Sequence, residues 1–310
     1  MKKSLPLRAD LVQPFQLEST ALRGRLVRLG SLLDIILHQH SYPKAVATLL
    51  AESIVIAAAL GHALKYEGVF TFQAKGDGPV RLLVVDVTDD GGMRAYAQVQ
   101  EGHDFMNAAP DTRLLGKGFL AFTVDQKNKD DRYQGIVALE GGTLAEAVQH
   151  YFRQSEQLPT GIVSAVDQDE QGRWTGGCLM VQRMPREGGT AHVSDTALED
   201  DWYRVMTLMG TCKPAELTDR LLPANDLLYR LFHEEGVRVY EPHPYRHECR
   251  CSEMRVTSML RALPRQEIEQ LAVDGLVTVT CEFCNRSYKF DDAAREKLYA
   301  DLPTDSPGKS

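Results

Sequence analysis

The chain has 310 residues, a formal net charge of −8 and 43% hydrophobic residues. That length has room for two domains, or one large domain with an appendage, and that composition can bury a real core. The acidic balance argues against non-specific nucleic-acid binding. The first residues, MKKSLPLRADLVQPF, hold two lysines but no apolar stretch of signal-peptide type, so a cytosolic chain is expected.

LRGRLVRLG (22–30) alternates apolar and basic residues, as a strand does, and SLLDIILHQH follows at helical spacing with Ser31 placed as N-cap. The run AVATLLAESIVIAAALGHAL (Ala45–Leu64) is long enough to cross a bilayer. Glu52 sits in its middle, however, and the run is rich in alanine rather than leucine. It reads as a helix buried in the protein on nearly all sides, starting at Pro43 and ending near Glu67-Gly68. VFTFQAKG, VRLLVVDVT and MRAYAQVQ, separated by the turn clusters Gly76–Pro79 and Asp89–Gly92, read as an antiparallel meander. GFLAFTVDQ and YQGIVALE form a further hairpin around the polar loop KNKDDR. TLAEAVQHYFRQSEQ is an amphipathic helix with a capping box at Thr143 and Glu146, and residues 161–184 give two more strands. GDGPV lies between strands with no helix after it, so it is no phosphate loop.

Past Met184-Pro185 the composition turns polar, and from Trp202 to Glu235 it becomes helical, broken by Pro214 and Pro223. VRVYEPHPYRHECRCS is extended. The expected organisation is α+β: an N-terminal domain of antiparallel strands and a buried helix (1–185), a helical linker (186–240), a small cysteine domain (241–290) and a disordered tail (291–310).

Four of the six cysteines crowd into that small domain. Cys249 and Cys251 form a Cys-x-Cys claw, and Cys281 and Cys284 a Cys-x-x-Cys claw, with 29 residues between them. Two such claws make a four-sulfur tetrahedral site suited to zinc. A domain of some fifty residues has little core of its own, and a structural zinc supplies roughly 10–16 kcal/mol of apparent binding energy to folding. In a tetrahedron with Zn–S near 2.3 Å the sulfurs lie about 3.8 Å apart, so within each claw a small motion separates ligands from a disulfide, and proximity favours bonds within each pair. Arg250 lies between the first two cysteines and Arg286 closely follows the second pair, and positive charge there favours thiolates. The segment 241–290 holds seven Lys/Arg and seven Asp/Glu, which leaves no basic face for nucleic acid. His243 and His247 flank the first claw and are alternative ligands. Cys178 reads as a buried core thiol, and Cys212 has no visible His–Asp partner.

With these motifs, VYEPHPYRHECRCS…GLVTVTCEFCNRSYKF resembles the C-terminal switch of the redox-regulated heat-shock protein 33 family, the 33 kDa chaperonins. GRLVRLG, LKYEG, KGDGPVRLLVVD, YQGIVALEGGTLAEAVQHYFRQSEQLPT and LLYRLFHEE agree in order, so the resemblance spans essentially the whole chain. It implies an N-terminal fold with a helix between sheets and an ATP-independent holdase of the cytoplasm. It also implies that Cys249, Cys251, Cys281 and Cys284 are both the ligands of one Zn²⁺ and the redox switch. Oxidant together with unfolding conditions then forms disulfides Cys249–Cys251 and Cys281–Cys284, ejects zinc and unfolds the switch and linker. Partners are unfolded or partly folded clients and a second copy in the active state, without nucleic acid or membrane. The linker residues Trp202, Met206, Leu208, Met209, Leu227, Leu228, Leu231 and Phe232 are ordinary packing when reduced and become available when oxidised. The alternative is an enzyme, a thiol–disulfide oxidoreductase working through Cys281-x-x-Cys284, which requires a low-pKa thiol on a helix N-terminus.

Overall fold

The computed structural model describes residues 10–20, 22–127, 132–139, 142–184 and 195–300. In chain order its elements are β1 (Leu11–Leu17), β2 (Leu22–Leu29), α1 (Ser31–Leu37), α2 (Lys44–Ala63), β3 (Gly68–Gly76), β4 (Val80–Thr88), β5 (Gly92–Val99), β6 (Gly118–Gln126), β7 (Arg132–Leu139), α3 (Leu144–Gln154), β8 (Thr160–Gln168) and β9 (Trp174–Arg183). There follow α4 (Asp195–Gly210), α5 (Pro214–Thr218), α6 (Ala224–Phe232), β10 (Val237–Val239), β11 (His243–Pro244), β12 (Arg246–His247), α7 (Glu253–Arg261), α8 (Arg265–Gln270), β13 (Val277–Thr280), β14 (Ser287–Phe290) and α9 (Asp292–Ala300). Two compact units divide between Glu248 and Cys249.

The first unit holds two six-stranded sheets. One runs β10-β1-β2-β9-β8, with β11 also on β1, and the other runs β12-β5-β4-β3-β6-β7. Pairing is antiparallel except for β12 with β5. Helix α2 packs on β2, β8 and β9 of the first sheet and on β3, β4 and β5 of the second. Its alanines explain the placement: small side chains all round let both sheets approach, and Leu49, Leu50, Ile54 and Val55 are fully buried. The membrane-length run is therefore the core helix of this unit. Glu52 is tolerated inside because the Ser164 hydroxyl donates to it at 2.9 Å, although burial raises its pKa.

Period-two alternation gives the first sheet two apolar faces. Val12, Val27, Leu29, Cys178 and Met180 face α1 and α2. Phe15, Leu17, Leu22, Leu26, Leu179 and Val181 form the opposite face, where α4, α5 and α6 cover them with Val205, Met209, Leu217, Leu227, Leu228, Leu231 and Phe232. Gly24 is required here, since a Cβ on it would lie 2.0 Å from the Phe15 ring. That ring stacks on Phe232 with centroids 5.8 Å apart.

Several local expectations need correction. Ser31 is the first residue of α1 and not its cap. Gly30 precedes the helix, and the Asp10 carboxylate takes the Gly30 and Leu32 N–H groups at 2.6 and 3.1 Å, a long-range cap that sequence spacing does not reveal. Pro43 is the residue before α2, and the helix stops at Ala63 rather than near Gly68, with Leu64 already extended. The helices of the expected linker are not a separate body, because their apolar faces complete the first unit. That unit also runs past 240 to Glu248. The expected tail is helical over Asp292–Ala300, with Leu298 buried in the second unit's core. The loop expected at 127–132, the polar part of the linker at 185–194, the N-terminal residues 1–9 and the tail's end at 301–310 fall wholly or mostly outside the described residues.

Candidate metal centre and covered sheet face

The second unit is small. Leu260, Ile268, Val277, Phe290 and Leu298 form its buried core, with Val256, Leu263, Val279, Tyr288 and Tyr299 packed partly against it. The hairpin of β13 and β14 ends at the pair Thr280–Ser287. Its turn is closed by the Cys281 N–H to the Arg286 carbonyl at 2.9 Å and the Asn285 N–H to the Cys281 carbonyl at 2.8 Å. Asn285 takes the left-handed conformation, φ 56°, which asparagine tolerates better than most side chains. Cys281 and Cys284 thus sit in one tight turn. Cys249 and Cys251 come just before Ser252, whose hydroxyl caps α7 by accepting the Arg255 N–H at 3.3 Å.

All four sulfurs lie within 4.8 Å of one another. Cys249 Sγ is 3.7 Å from Cys281 Sγ, and Cys251 Sγ is 3.3 Å from Cys284 Sγ. Those two approaches run across the claws, so closeness alone does not select bonds within each pair. The sequence-based expectation from proximity loses that support.

The surroundings favour charge on one sulfur and oppose it on two others. Burial works against the Cys251 thiolate, but the Tyr288 hydroxyl, donating at 3.2 Å, and the neighbouring thiols outweigh it and hold this thiol at about 7. Burial pushes Cys284 up to about 12 and Cys249 upward, even though the Arg286 N–H points at the Cys284 sulfur and the Cys251 N–H at the Cys249 sulfur. The exposed Arg286 guanidinium lies close enough to Tyr288, Cys251 and Cys284 for their charge to hold its proton more firmly. Four soft donors with N–H and O–H groups aimed at them can hold a thiophilic metal ion in place of their protons. Tyr288 was not singled out in the sequence. Its place on β14, four residues past Cys284, was the available signal.

The other candidates lie elsewhere. Cys178 is fully buried in β9, and burial first, then the nearby Glu52, raises its pKa. Cys212 is buried after α4 and pushed up to about 11, mainly by burial. Both are poor nucleophiles. His243 and His247 belong to the first unit: the His243 ring lies tilted against that of His62 with centroids 4.7 Å apart, and His247 Nε2 lies 3.3 Å from the Gln39 amide nitrogen. Among the described residues the cluster that could hold a metal ion consists of the four cysteines.

Polar latches hold the cover on the first unit's sheet. Arg28, projecting from β2, donates to the carbonyls of Glu216, Asp219 and Leu222 at 2.7, 2.5 and 2.7 Å. Burial lowers its pKa, so these bonds offset a real desolvation cost. Glu235, 4% exposed, accepts from Arg204 Nε at 2.6 Å and from the Ser19 hydroxyl at 2.6 Å. The Arg204 guanidinium holds the Glu235 carboxyl below its usual range.

The family model described as Hsp33 protein matches residues 10–291. The 33 kDa chaperonin of Caulobacter vibrioides is 40% identical over 294 residues, covering 91% of this chain and 95% of the relative. The 33 kDa chaperonin of Escherichia coli is 38% identical over 283 residues, covering 91% and 92%. Among solved structures, the 33 kDa chaperonin (heat shock protein 33 homologue) of Thermotoga maritima superposes with a TM-score of 0.79 at 22% identity, over 93% of this chain and 97% of that one.

Proposed function

Because the chain belongs to the Hsp33 protein family, we propose that it is a molecular chaperone of the holdase type. In this reading it binds unfolding proteins without ATP, stays inactive while reduced and zinc-bound, and is activated by oxidation. The observation that carries the reading is the convergence of Cys249, Cys251, Cys281 and Cys284, all within 4.8 Å, in a unit with few buried side chains. The chaperonin names of the relatives support the client-binding half.

In the reduced state the four thiolates would hold one Zn²⁺, tying the start of the second unit to the turn between β13 and β14. Oxidation joins Cys249 to Cys251 and Cys281 to Cys284. Each bond takes two electrons from a pair of thiolates and delivers them to the oxidant, and the metal loses its ligands. The pairing rests on the family resemblance and on sequence adjacency. With only a small core remaining, the second unit then unfolds. When α4 to α6 also leave, the face of Phe15, Leu17, Leu22, Leu26, Leu179 and Val181 becomes available to apolar segments of a client. The active form is a homodimer in the cytoplasm, with neither nucleic acid nor membrane as partner.

The oxidoreductase alternative has weaker support. Cys281 and Cys284 lie in a hairpin turn rather than on a helix N-terminus, and a second cysteine pair occupies the same site. The deciding experiment measures light scattering of a heat-aggregating client beside zinc release and limited proteolysis, before and after oxidant. Protection of the client only after zinc release and cleavage within 195–300 is expected. Equal protection by the reduced, zinc-bound form refutes the switch.

A further inference from the structure

The segment joining the cover to the first cysteine is laid along the outer edge of β1. β10 pairs with it antiparallel, setting Val237 opposite Leu17, Arg238 opposite Gln16 and Val239 opposite Phe15, and β11 continues with His243 opposite Val12 and Pro244 opposite Leu11. The Glu18 N–H donates to the Gly236 carbonyl at 2.8 Å, the Tyr240 N–H to the Pro14 carbonyl at 3.0 Å and the Tyr245 N–H to the Asp10 carbonyl at 2.8 Å. β1 has a gap in its ladder, since Pro14 carries no N–H. The buried Gln13 side chain fills it by donating its amide to the Tyr240 carbonyl at 2.6 Å. The edge is thus furnished along its length for a partner strand.

The occupant is lightly held. Arg238, Val239, Tyr240, Glu241, His243 and Pro244 are all exposed, and Val237 is only partly buried. Tyr245 is its one deep anchor, with its ring buried and its hydroxyl donating to the Ala58 carbonyl at 2.6 Å. An element fixed mainly by exposed backbone hydrogen bonds opens before the core does. In sequence it starts one residue after the cover's last turn, and β12 alone separates it from Cys249, so it lies between two parts that leave on activation.

The geometry points to the vacated outer edge of β1 as a client-binding site that captures an extended polypeptide by strand addition, resting on the holdase reading above. The client takes over the hydrogen bonds of residues 237–245 with antiparallel register. Its residues at the places of Val237 and Val239 fall beside Leu17 and Phe15, at the margin of the uncovered apolar face. The partner is therefore an unfolded segment with an apolar residue at every second position, and backbone pairing makes capture tolerant of its detailed sequence. Residues 237–245 act in the resting protein as the chain's own mimic of such a segment.

Hydrogen–deuterium exchange of the full-length oxidised protein, with and without a chemically unfolded client, tests this. Amides of Gln16 and Glu18 are expected to lose protection on activation and to regain it when client is bound. Substituting Gln16→Pro removes one outward donor while leaving Phe15 and Leu17 in place. It is expected to weaken client affinity about fivefold, the worth of one hydrogen bond, with zinc release unchanged. Client bound with no added protection at Gln16 and Glu18, or edge amides that stay protected throughout activation, overturns strand addition and leaves the holdase reading standing. Absence of client binding in the oxidised wild type refutes both.

Discussion

Truncating Leu228 separates loosening of the cover from loss of stability in general. Leu228 lies on α6, is fully buried, and packs in the cluster that joins α4–α6 to the outer face of the first sheet. Leu228→Ala removes three buried carbons and leaves a cavity, at a cost of about 3 kcal/mol. Because the lost contacts belong to the cover, the cost falls on the equilibrium between covered and uncovered states, whose open population rises roughly 150-fold. Leu144→Ala is the matched control. Leu144 is equally buried, but on α3 within the cluster around α2. Both variants are expected to lose similar global stability in urea. Only Leu228→Ala should speed amide exchange across residues 214–232 in the reduced, zinc-bound protein. It should also lower the oxidant or temperature needed to suppress client aggregation. If Leu144→Ala lowers that threshold as far, the switch reads overall stability and the covered face is not its controlled surface.

Other expectations follow from the same contacts. Arg28→Met deletes three hydrogen bonds to the cover while relieving a buried charge, a net cost of about 2 kcal/mol, and should appear as earlier proteolysis near 214–222 with zinc content unchanged. Cys281→Ser should weaken zinc binding at least a hundredfold in a chromogenic chelator competition while Cys178→Ser does not, and full zinc retention in a variant with all four clustered cysteines changed to serine would refute the ligand set. Peptide mapping after oxidation should find Cys249–Cys251 and Cys281–Cys284, and a majority of bonds across the claws would contradict the proposed pairing. His62 is held at about 4 by burial, then by Arg25 and His243, against about 6.5 when unfolded. The unfolded chain therefore takes up the proton first, and stability falls as pH drops from about 6.5 towards 4. Denaturant melts of His62→Asn should show a shallower loss across that window.

Most of the first unit was legible because its signals are local. The meander of β3 to β5 follows from period-two runs between turn clusters, and the α3 cap at Thr143 and Glu146 stands in the structure as read. The convergence of the four cysteines was legible too, since two claws at short spacing have few other uses. What stayed hidden were arrangements that no spacing encodes. Asp10 caps a helix twenty residues away. Arg28 reaches backbone carbonyls nearly two hundred residues on, and Gln13 stands in for a missing proline donor. The linker's helical period was plain, but nothing in the local pattern says that its apolar side covers β1, β2 and β9. Period-two strands give a sheet two faces without saying what lies on the second one.

That hidden arrangement bears on why oxidation alone should act only in part. In the proposed switch, loss of the metal removes the stabilisation of the second unit, whose core has five buried apolar side chains among the described residues. It removes nothing from the first unit directly. The cover keeps the cluster around Phe232, the Arg28 bonds and the Arg204–Glu235 pair, and residues 237–248 keep their backbone pairing to both sheets and the Tyr245 anchor. Unfolding that starts at Cys249 must therefore cross a separately stabilised stretch before it reaches the covered face. Heat or another denaturing condition weakens exactly such locally held elements first, while α2 between its two sheets survives. The order of these stabilities makes the proposed switch a coincidence detector. Oxidation unlocks the second unit, an unfolding stress releases the cover, and the surface for clients opens when both have occurred.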